Sequence, residues 1–269
     1  MLIDIGANLA HDSFDADREA VLRRAGAAGL AAIIITGSCA ASNRKALQLA
    51  RSGHRQPQLY ATAGCHPHHA ADWDETLAAE IAALAAEPEV VALGECGLDY
   101  FRNYSPHDAQ RRAFVAQLGL AVQADKPVFL HQRDAHGDFL PILRDYRRAL
   151  ADACVHCFTD SGEALDAYLD LDCYIGITGW ICDERRGSGL RELVARIPAE
   201  RLLIETDAPY LLPRNIRPPV KDRRNEPGFL PWVLQAVAAA RGDTVEALAA
   251  QTAANARRFF RLDVPPATR

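Results

Sequence analysis

Eight short apolar runs punctuate the chain at regular intervals, and this alternation most restricts the folds it can adopt. Apolar runs of about four to eight residues, bounded by polar or turn residues, are typical of buried strands. The runs lie at 2–6, 31–36, 59–64, 90–95, 127–131, 153–158, 173–178 and 202–207. A longer segment with helical periodicity separates each run from the next, so the pattern predicts βαβ units and a parallel sheet.

The intervening segments predict the helices and, with them, the fold class. Helices are expected at 14–28, 42–51, 75–86, 106–124, 136–149, 162–171 and 190–197, with two more at 227–240 and 244–260. Eight such units in 269 residues predict an α/β fold of one domain, a (β/α)8 barrel over 1–269 that ends in the helix at 244–260. No G-x-G-x-x-G follows the first strand, which argues against a dinucleotide-binding sheet.

Charge and hydropathy narrow the functional class. The formal net charge of −5 argues against nonspecific binding of duplex nucleic acid through a broad basic face, but leaves a phosphodiester substrate open. No run approaches the roughly 18 apolar residues of a membrane span, and the first residues do not resemble a signal peptide. We therefore expect a cytoplasmic protein that does not contact membranes. The seven Cys are expected as free thiols.

Two carboxylates and two imidazoles occupy equivalent places in the pattern. Glu95, His131, His156 and Asp207 each lie near the end of a different predicted strand. In parallel α/β folds functional groups gather at the carboxyl ends of the strands, where these four would form a divalent-metal site for hydrolysis. Asp207 could instead accept a proton from the attacking water. Taken singly, each of these residues could also be a hydrogen-bonded core residue.

Five residues are candidates for contact with a substrate phosphate. His66 lies in a run with three imidazoles after the third predicted strand, and the others are Arg185, Arg214, Arg223 and Arg224. Arginine guanidinium groups suit phosphate oxygens. A solvated loop at 209–227 would also account for most of these charges, and a simple turn would account for His66.

With these residues in view, the sequence resembles the TatD family of metal-dependent deoxyribonucleases. The matching stretches run in order along nearly the whole chain: DIGANL, TAGCHPH, GECGLDY, PVFLHQRDAH, HCFT, YIGITGWICDERRG, LLIETDAPYLLPR and RRNEP. The resemblance implies a (β/α)8 fold and a 3′→5′ exonuclease on single-stranded DNA or RNA, with a role in DNA repair. It implies Mg²⁺ as cofactor, with Mn²⁺ or Zn²⁺ as alternatives. Glu95, His131 and His156 match the metal ligands of the family, and Asp207 matches its last-strand aspartate.

One departure concerns the first strand. Most of the wider family begins with Asp-x-His-x-His, whereas this chain has Gly6 and Asn8 in the two histidine places. Gly6 has no side chain and Asn8 offers only an amide oxygen. The resemblance therefore does not extend to a preformed centre with two zinc ions.

Two other functions remain open on the sequence. An amidohydrolase-type enzyme for a small amide, ester or lactone would use a similar barrel site. Such enzymes often have a first-strand His-x-His and a bridging lysine, and neither is found here. A nucleic-acid binder without catalysis is the third interpretation, which the four candidate metal ligands disfavour. A monomer is expected.

Overall fold

The computed structural model describes residues 1–263, and all eight strands lie in one sheet. They are β1 (Leu2–Ala7), β2 (Leu30–Ile35), β3 (Gln58–Ala63), β4 (Val90–Asp99), β5 (Val128–Arg133), β6 (Ala153–Val155), β7 (Tyr174–Ile177) and β8 (Leu202–Ile204). Each strand is parallel to the next along the chain, so the predicted α/β barrel is confirmed. The end of the predicted domain, 264–269, lies outside the described residues.

Helices follow the strands: the first eight cover the outside of the sheet, and the last closes one end of the barrel. They are α1 (Arg18–Ala27), α2 (Ala40–Ala50), α3 (Glu75–Ala85), α4 (His107–Ala124), α5 (His136–Arg147), α6 (Gly162–Asp170), α7 (Ser188–Val194), α8 (Leu230–Arg241) and α9 (Val245–Phe260). Side-chain caps fix several starts: Asp74 accepts a hydrogen bond from the Leu77 N–H at 2.8 Å, for example. No helix within 1–263 combines the length and apolar character needed to cross a membrane.

Hydrogen bonds between β1 and the segment after β8 close the barrel. The Asp207 N–H donates to the Gly6 carbonyl at 2.8 Å. The Asp4 carboxylate accepts from the Thr206 N–H at 2.9 Å and from its hydroxyl at 2.5 Å. Burial raises the pKa of Asp4 to about 8. The first and last strands therefore meet where the candidate site lies.

The interior of the barrel is apolar, and α9 plugs one end of it. Phe259 contacts Tyr174 with ring centroids 5.1 Å apart, and Phe260 lies 6.5 Å from Phe129. Burying one such phenylalanine contributes roughly 1.5–3 kcal/mol. Phe129 also lies 4.4 Å from the His156 ring, between the plug and the polar end of the barrel. This packing separates the site from solvent on one side.

Strand β4 is longer than predicted. The prediction ended it at Glu95, but the strand continues to Asp99. Strand β5 likewise continues past His131, and the pairing of Gly97 with His131 and of Asp99 with Arg133 supplies hydrogen bonds to the additional residues. The expectation that Glu95 and His131 terminate their strands was therefore wrong, because a long neighbouring strand can pair polar residues that look like a turn.

Two other strands are shorter than predicted, and two helices begin later than predicted. Strands β6 and β8 end at Val155 and Ile204, so His156 and Asp207 lie beyond them. The helix predicted at 14–28 begins only at Arg18, after a short 3-10 turn. The helix predicted at 227–240 also opens with a 3-10 turn. The segment 209–226, which lies between β8 and that turn, contains no helix or strand, as predicted.

Candidate metal centre and active site

The Glu95 carboxylate is surrounded by three imidazoles. Its Oε1 lies 2.8 Å from His131 Nδ1, 2.7 Å from His156 Nε2 and 3.3 Å from His66 Nε2. The carboxylate comes from the middle of β4, and the imidazoles come from β5 and from the loops after β6 and β3. Four neighbouring positions of the barrel therefore direct donor atoms to one point, and Glu95 itself is only 6% exposed.

A second layer of carboxylates contacts these imidazoles. Glu205 is fully buried, with Oε2 3.3 Å from His156 Nδ1, and its Oε1 accepts from the Cys157 N–H at 2.6 Å. On the other side, Asp99 Oδ2 lies 3.4 Å from His131 Nε2 and 2.8 Å from His68 Nε2. Carboxylates in such positions orient imidazole ligands and set the ring nitrogen that carries the proton.

Sequence reasoning missed these supporting carboxylates. Asp99 stands at the true end of β4, which the predicted strand did not reach. Glu205 lies two residues before Asp207 and was included in a predicted strand, where it drew no attention. The one available signal was the presence of acidic residues, Glu205 and Asp207, at both ends of a three-residue stretch that follows an apolar run.

Asp207 lies at the edge of this cluster. Its Oδ1 accepts from the Asn8 amide at 3.0 Å, and it lines the same cavity as Glu95. Burial raises the pKa of Asp207 to about 7. Asn8, considered from the sequence as a weak ligand, thus orients this carboxylate through a hydrogen bond.

The charges of the cluster compensate one another. Burial raises the pKa of Glu95, but the adjacent imidazoles outweigh it and hold that pKa well below its usual range. Burial lowers the pKa of His156, yet Glu95 and Glu205 raise it well above its ordinary value. His66 is the exception, since burial lowers its pKa to about 4. The carboxylates thus require nearby positive charge, which protons or a divalent cation can supply.

The residues present fit a divalent metal ion. His131 Nε2 is buried and makes no hydrogen bond among the described residues, since the Asp99 oxygen 3.4 Å away pairs with it only loosely, and this is costly unless another group binds the nitrogen. His66, Glu95 and His131 offer donor atoms that all lie within 4.8 Å of one another. His156 reaches this group through Glu95. The structure therefore brings three of the predicted ligands together, adds His66 to them, and places Asp207 beside them.

Gly6 leaves room for the supporting carboxylate. A Cβ added at this position would lie 2.6 Å from Glu205 Oε2 and 2.9 Å from Phe129 Cζ. Real Cβ atoms essentially never approach other atoms so closely. The space that a first-strand side chain would need is therefore occupied by Glu205, the residue that contacts His156.

The cluster opens into a cavity of about 480 Å³. Of the residues predicted to contact substrate, His66 lines this cavity, and the structure places the four arginines outside its lining. Arg224 donates to both carboxylate oxygens of Asp17, and Arg214 lies 3.2 Å from Asp183. Two other arginines, Arg102 and Arg133, do line the cavity.

Comparison with known proteins now assigns the family. A family model described as TatD related DNase matches residues 3–261. The chain belongs to the TatD family. The protein named 3′-5′ ssDNA/RNA exonuclease TatD in Erwinia tasmaniensis is 51% identical over 261 residues, which cover 97% of this chain and 100% of that protein. The protein of the same name in Salmonella typhimurium is 50% identical over 259 residues, 96% of this chain and 98% of its own.

Solved structures agree with this assignment. The crystal structure of YJJV, a TatD homolog from Escherichia coli, superposes with a TM-score of 0.88 at 28% identity. The match covers 97% of this chain and 98% of that one. The resemblance inferred from the motifs and the barrel fold are both confirmed.

Proposed function

We propose that this protein is a metal-dependent phosphodiesterase that removes nucleotides from the 3′ end of single-stranded DNA or RNA. The observation that carries the proposal is the Glu95 carboxylate, which lies 2.8 and 2.7 Å from two imidazoles, those of His131 and His156, in an open cavity. The shared name of the relatives in Erwinia tasmaniensis and Salmonella typhimurium supports the substrate and the polarity. We place the reaction in the cytoplasm, where such an activity suits DNA repair.

Mg²⁺ is the cation that we propose for the cell, with Mn²⁺ and Zn²⁺ as ions that the same donors would accept. Glu95, His131 and His156 would hold it, and Asp207, which the sequence offered as a fourth ligand, would face the attacking water instead. A divalent cation at this site supplies polarisation of the scissile phosphoryl oxygen and a lower pKa for the attacking water. Mg²⁺ keeps several waters and binds substrate phosphate, which suits a first strand that offers Gly6 instead of an imidazole.

Asp207 is the residue that we propose as proton acceptor. One of its carboxylate oxygens accepts the Asn8 amide hydrogen at 3.0 Å, and within residues 1–263 no hydrogen bond occupies the other oxygen, which can therefore face a water molecule. Burial raises the pKa of Asp207, which makes its carboxylate a better proton acceptor than an exposed aspartate. The substrate phosphates would contact His66, Arg102 and Arg133, which line the cavity.

Glu205→Gln is expected to lower kcat/KM about 10- to 100-fold and to raise the Mg²⁺ concentration for half-maximal activity. The amide would donate to His156 Nδ1 where the carboxylate accepts, so the imidazole would carry its proton on Nε2, the nitrogen that faces Glu95. Steady-state rates over a Mg²⁺ titration measure both effects.

The matched control for this variant is Glu192→Gln, on an exposed residue of α7. It should retain the rate and the Mg²⁺ dependence of the wild-type protein. If the role of Glu205 were only structural, Glu205→Gln would lower the thermal midpoint of the protein. The molecules that remain folded would then need the same Mg²⁺ concentration for half-maximal activity as the wild-type protein. That result would contradict the positioning of His156 by Glu205.

The proposed function is tested by a time course on a 5′-labelled single-stranded oligonucleotide with purified protein and Mg²⁺. A ladder that shortens from the 3′ end, and that disappears with EDTA, is the expected result. An oligonucleotide that stays intact with Mg²⁺, Mn²⁺ and Zn²⁺ in turn would overturn the proposal. A screen of small esters and cyclic amides would then test the amidohydrolase-type alternative.

A further inference from the structure

Two large aromatic side chains stand exposed on the loop that follows β4. Phe101 is 53% exposed and Tyr104 is 67% exposed. The backbone beneath them is held firmly: Asp99 Oδ1 accepts from the Phe101 N–H at 3.0 Å, and the buried Gln110 amide donates to the Asp99 and Ser105 carbonyls at 3.0 and 2.9 Å. Exposed aromatic rings on an ordered loop are candidates for contact with a ligand.

Two arginines accompany these rings. The Arg133 guanidinium carbon lies 4.0 Å from the Phe101 ring centroid, and that of Arg102 lies 5.7 Å from it. Neither side chain pairs with a carboxylate in the described part of the chain, although the protein carries a net charge of −5. These two guanidinium groups are therefore available to an anionic ligand.

Side-chain contacts connect the loop after β4 to the candidate metal centre. The Tyr104 ring lies 4.7 Å from the His68 ring, at an interplanar angle of 68°. His68 Nε2 lies 2.8 Å from Asp99, which also faces His131. Tyr104 and both arginines line the same cavity as the candidate metal ligands. A ligand bound at the metal centre would therefore extend over this loop.

We propose that Phe101, Arg102, Tyr104 and Arg133 form a nucleotide subsite, the Tyr104 platform, for the nucleotide next to the scissile phosphodiester. Tyr104 stacks on its nucleobase, and Phe101 holds the Arg133 guanidinium where it meets a phosphate. This inference rests on the proposed function and adds to it the side chains that select an unpaired base. A terminal base of a duplex is held by pairing with the other strand and by its stacked neighbour, whereas the base of a single strand is free to turn on to the Tyr104 ring.

Tyr104→Ala is the decisive variant, with Tyr104→Phe as its matched control because phenylalanine keeps the aromatic face. The substrates are a single-stranded DNA oligonucleotide and a series in which one abasic residue is moved through the last four positions. Tyr104→Ala is expected to raise KM for the intact oligonucleotide about 5- to 100-fold with kcat nearly unchanged, and Tyr104→Phe to behave like the wild-type protein.

The abasic series reports stacking independently of phosphate contacts. In the wild-type protein one position should raise KM strongly when its base is removed, and in Tyr104→Ala the same removal should have little further effect.

For Arg133→Ala, the slope of log(kcat/KM) against log[salt] should become shallower by about 0.7, the value for one phosphate contact on a single strand. Arg112→Ala, on an exposed arginine paired with Asp108, should leave the slope unchanged.

A small diester without a nucleobase, methyl p-nitrophenyl phosphate, separates this inference from the proposed function. Wild-type protein that cleaves neither the diester nor the oligonucleotide overturns the proposed function and this inference together. Cleavage of both substrates, with KM and the abasic penalties unaltered in Tyr104→Ala, overturns the Tyr104 platform alone. Support requires unchanged cleavage of the diester and a loss confined to the oligonucleotide.

Discussion

Glu95→Ala is expected to lower kcat/KM on a single-stranded oligonucleotide by at least about 10³-fold, which equals about 4 kcal/mol of transition-state stabilisation. Within residues 1–263, Glu95 is the one carboxylate in contact with the imidazoles of His66, His131 and His156 together. Its removal takes away a predicted metal ligand and leaves buried imidazoles without their common acceptor. The rate of 3′-end shortening with Mg²⁺ is the measurement, and His131→Ala should give a loss of similar size.

In Glu95→Ala, a loss of folding must be distinguished from a loss of catalysis. Removing one member of a buried ion pair can cost about 3–5 kcal/mol of stability. Glu95→Asp keeps the charge while drawing the carboxylate back by one methylene, so it should fold and still lose most activity. Glu75→Gln, on an exposed residue of α3, should retain the wild-type rate. Unchanged turnover in folded Glu95→Ala would contradict the mechanism.

The fold was predictable because its signals are local and repeated. Each strand is a short apolar run, and each helix follows with its own periodicity, so an error at one boundary leaves the topology unchanged. The helix predicted at 75–86 begins at Glu75, where the Asp74 cap marks its start. It ends at Ala85, only one residue before the predicted end. The extension of β4 to Asp99 depends on pairing with β5, which is not visible in the sequence of β4 alone.

The candidate site likewise contains residues that could be predicted from the sequence and residues that could not. The placement of Glu95, His131 and His156 beside one another could be predicted because each stands near the end of an apolar run. Glu205 and Asp99 could not be assigned a role, because that role depends on distances of 3.3 and 3.4 Å to imidazoles from other strands. The arginine cluster of the sequence does not line the cavity, and its contact with substrate phosphates stays a prediction. Residues near one another in the chain, such as Arg224, instead pair with distant carboxylates.

The close approach of β4 and β5 makes Gly97 the second position at which we expect a large effect. Gly97 has φ +143°, a conformation that residues with a side chain rarely adopt. A Cβ added there would lie 1.9 Å from the His131 carbonyl oxygen. Gly97→Ala is therefore expected to cost more than about 4 kcal/mol of the free energy of unfolding, enough to remove most soluble protein. Soluble yield and urea denaturation measure this loss.

Gly119→Ala provides the matched control, because Gly119 lies within α4 and an added Cβ there meets no atom within 4 Å. It should raise the free energy of unfolding by about 0.5–1 kcal/mol, as alanine does in helices. A wild-type urea midpoint in Gly97→Ala would show that β4 and β5 can separate without loss of stability. Since Gly97 pairs with His131 between Glu95 and Asp99, any Gly97→Ala protein that folds should also bind metal weakly. The strand pairing that makes this glycine necessary is also the pairing that places the carboxylates of β4 beside the imidazole of β5.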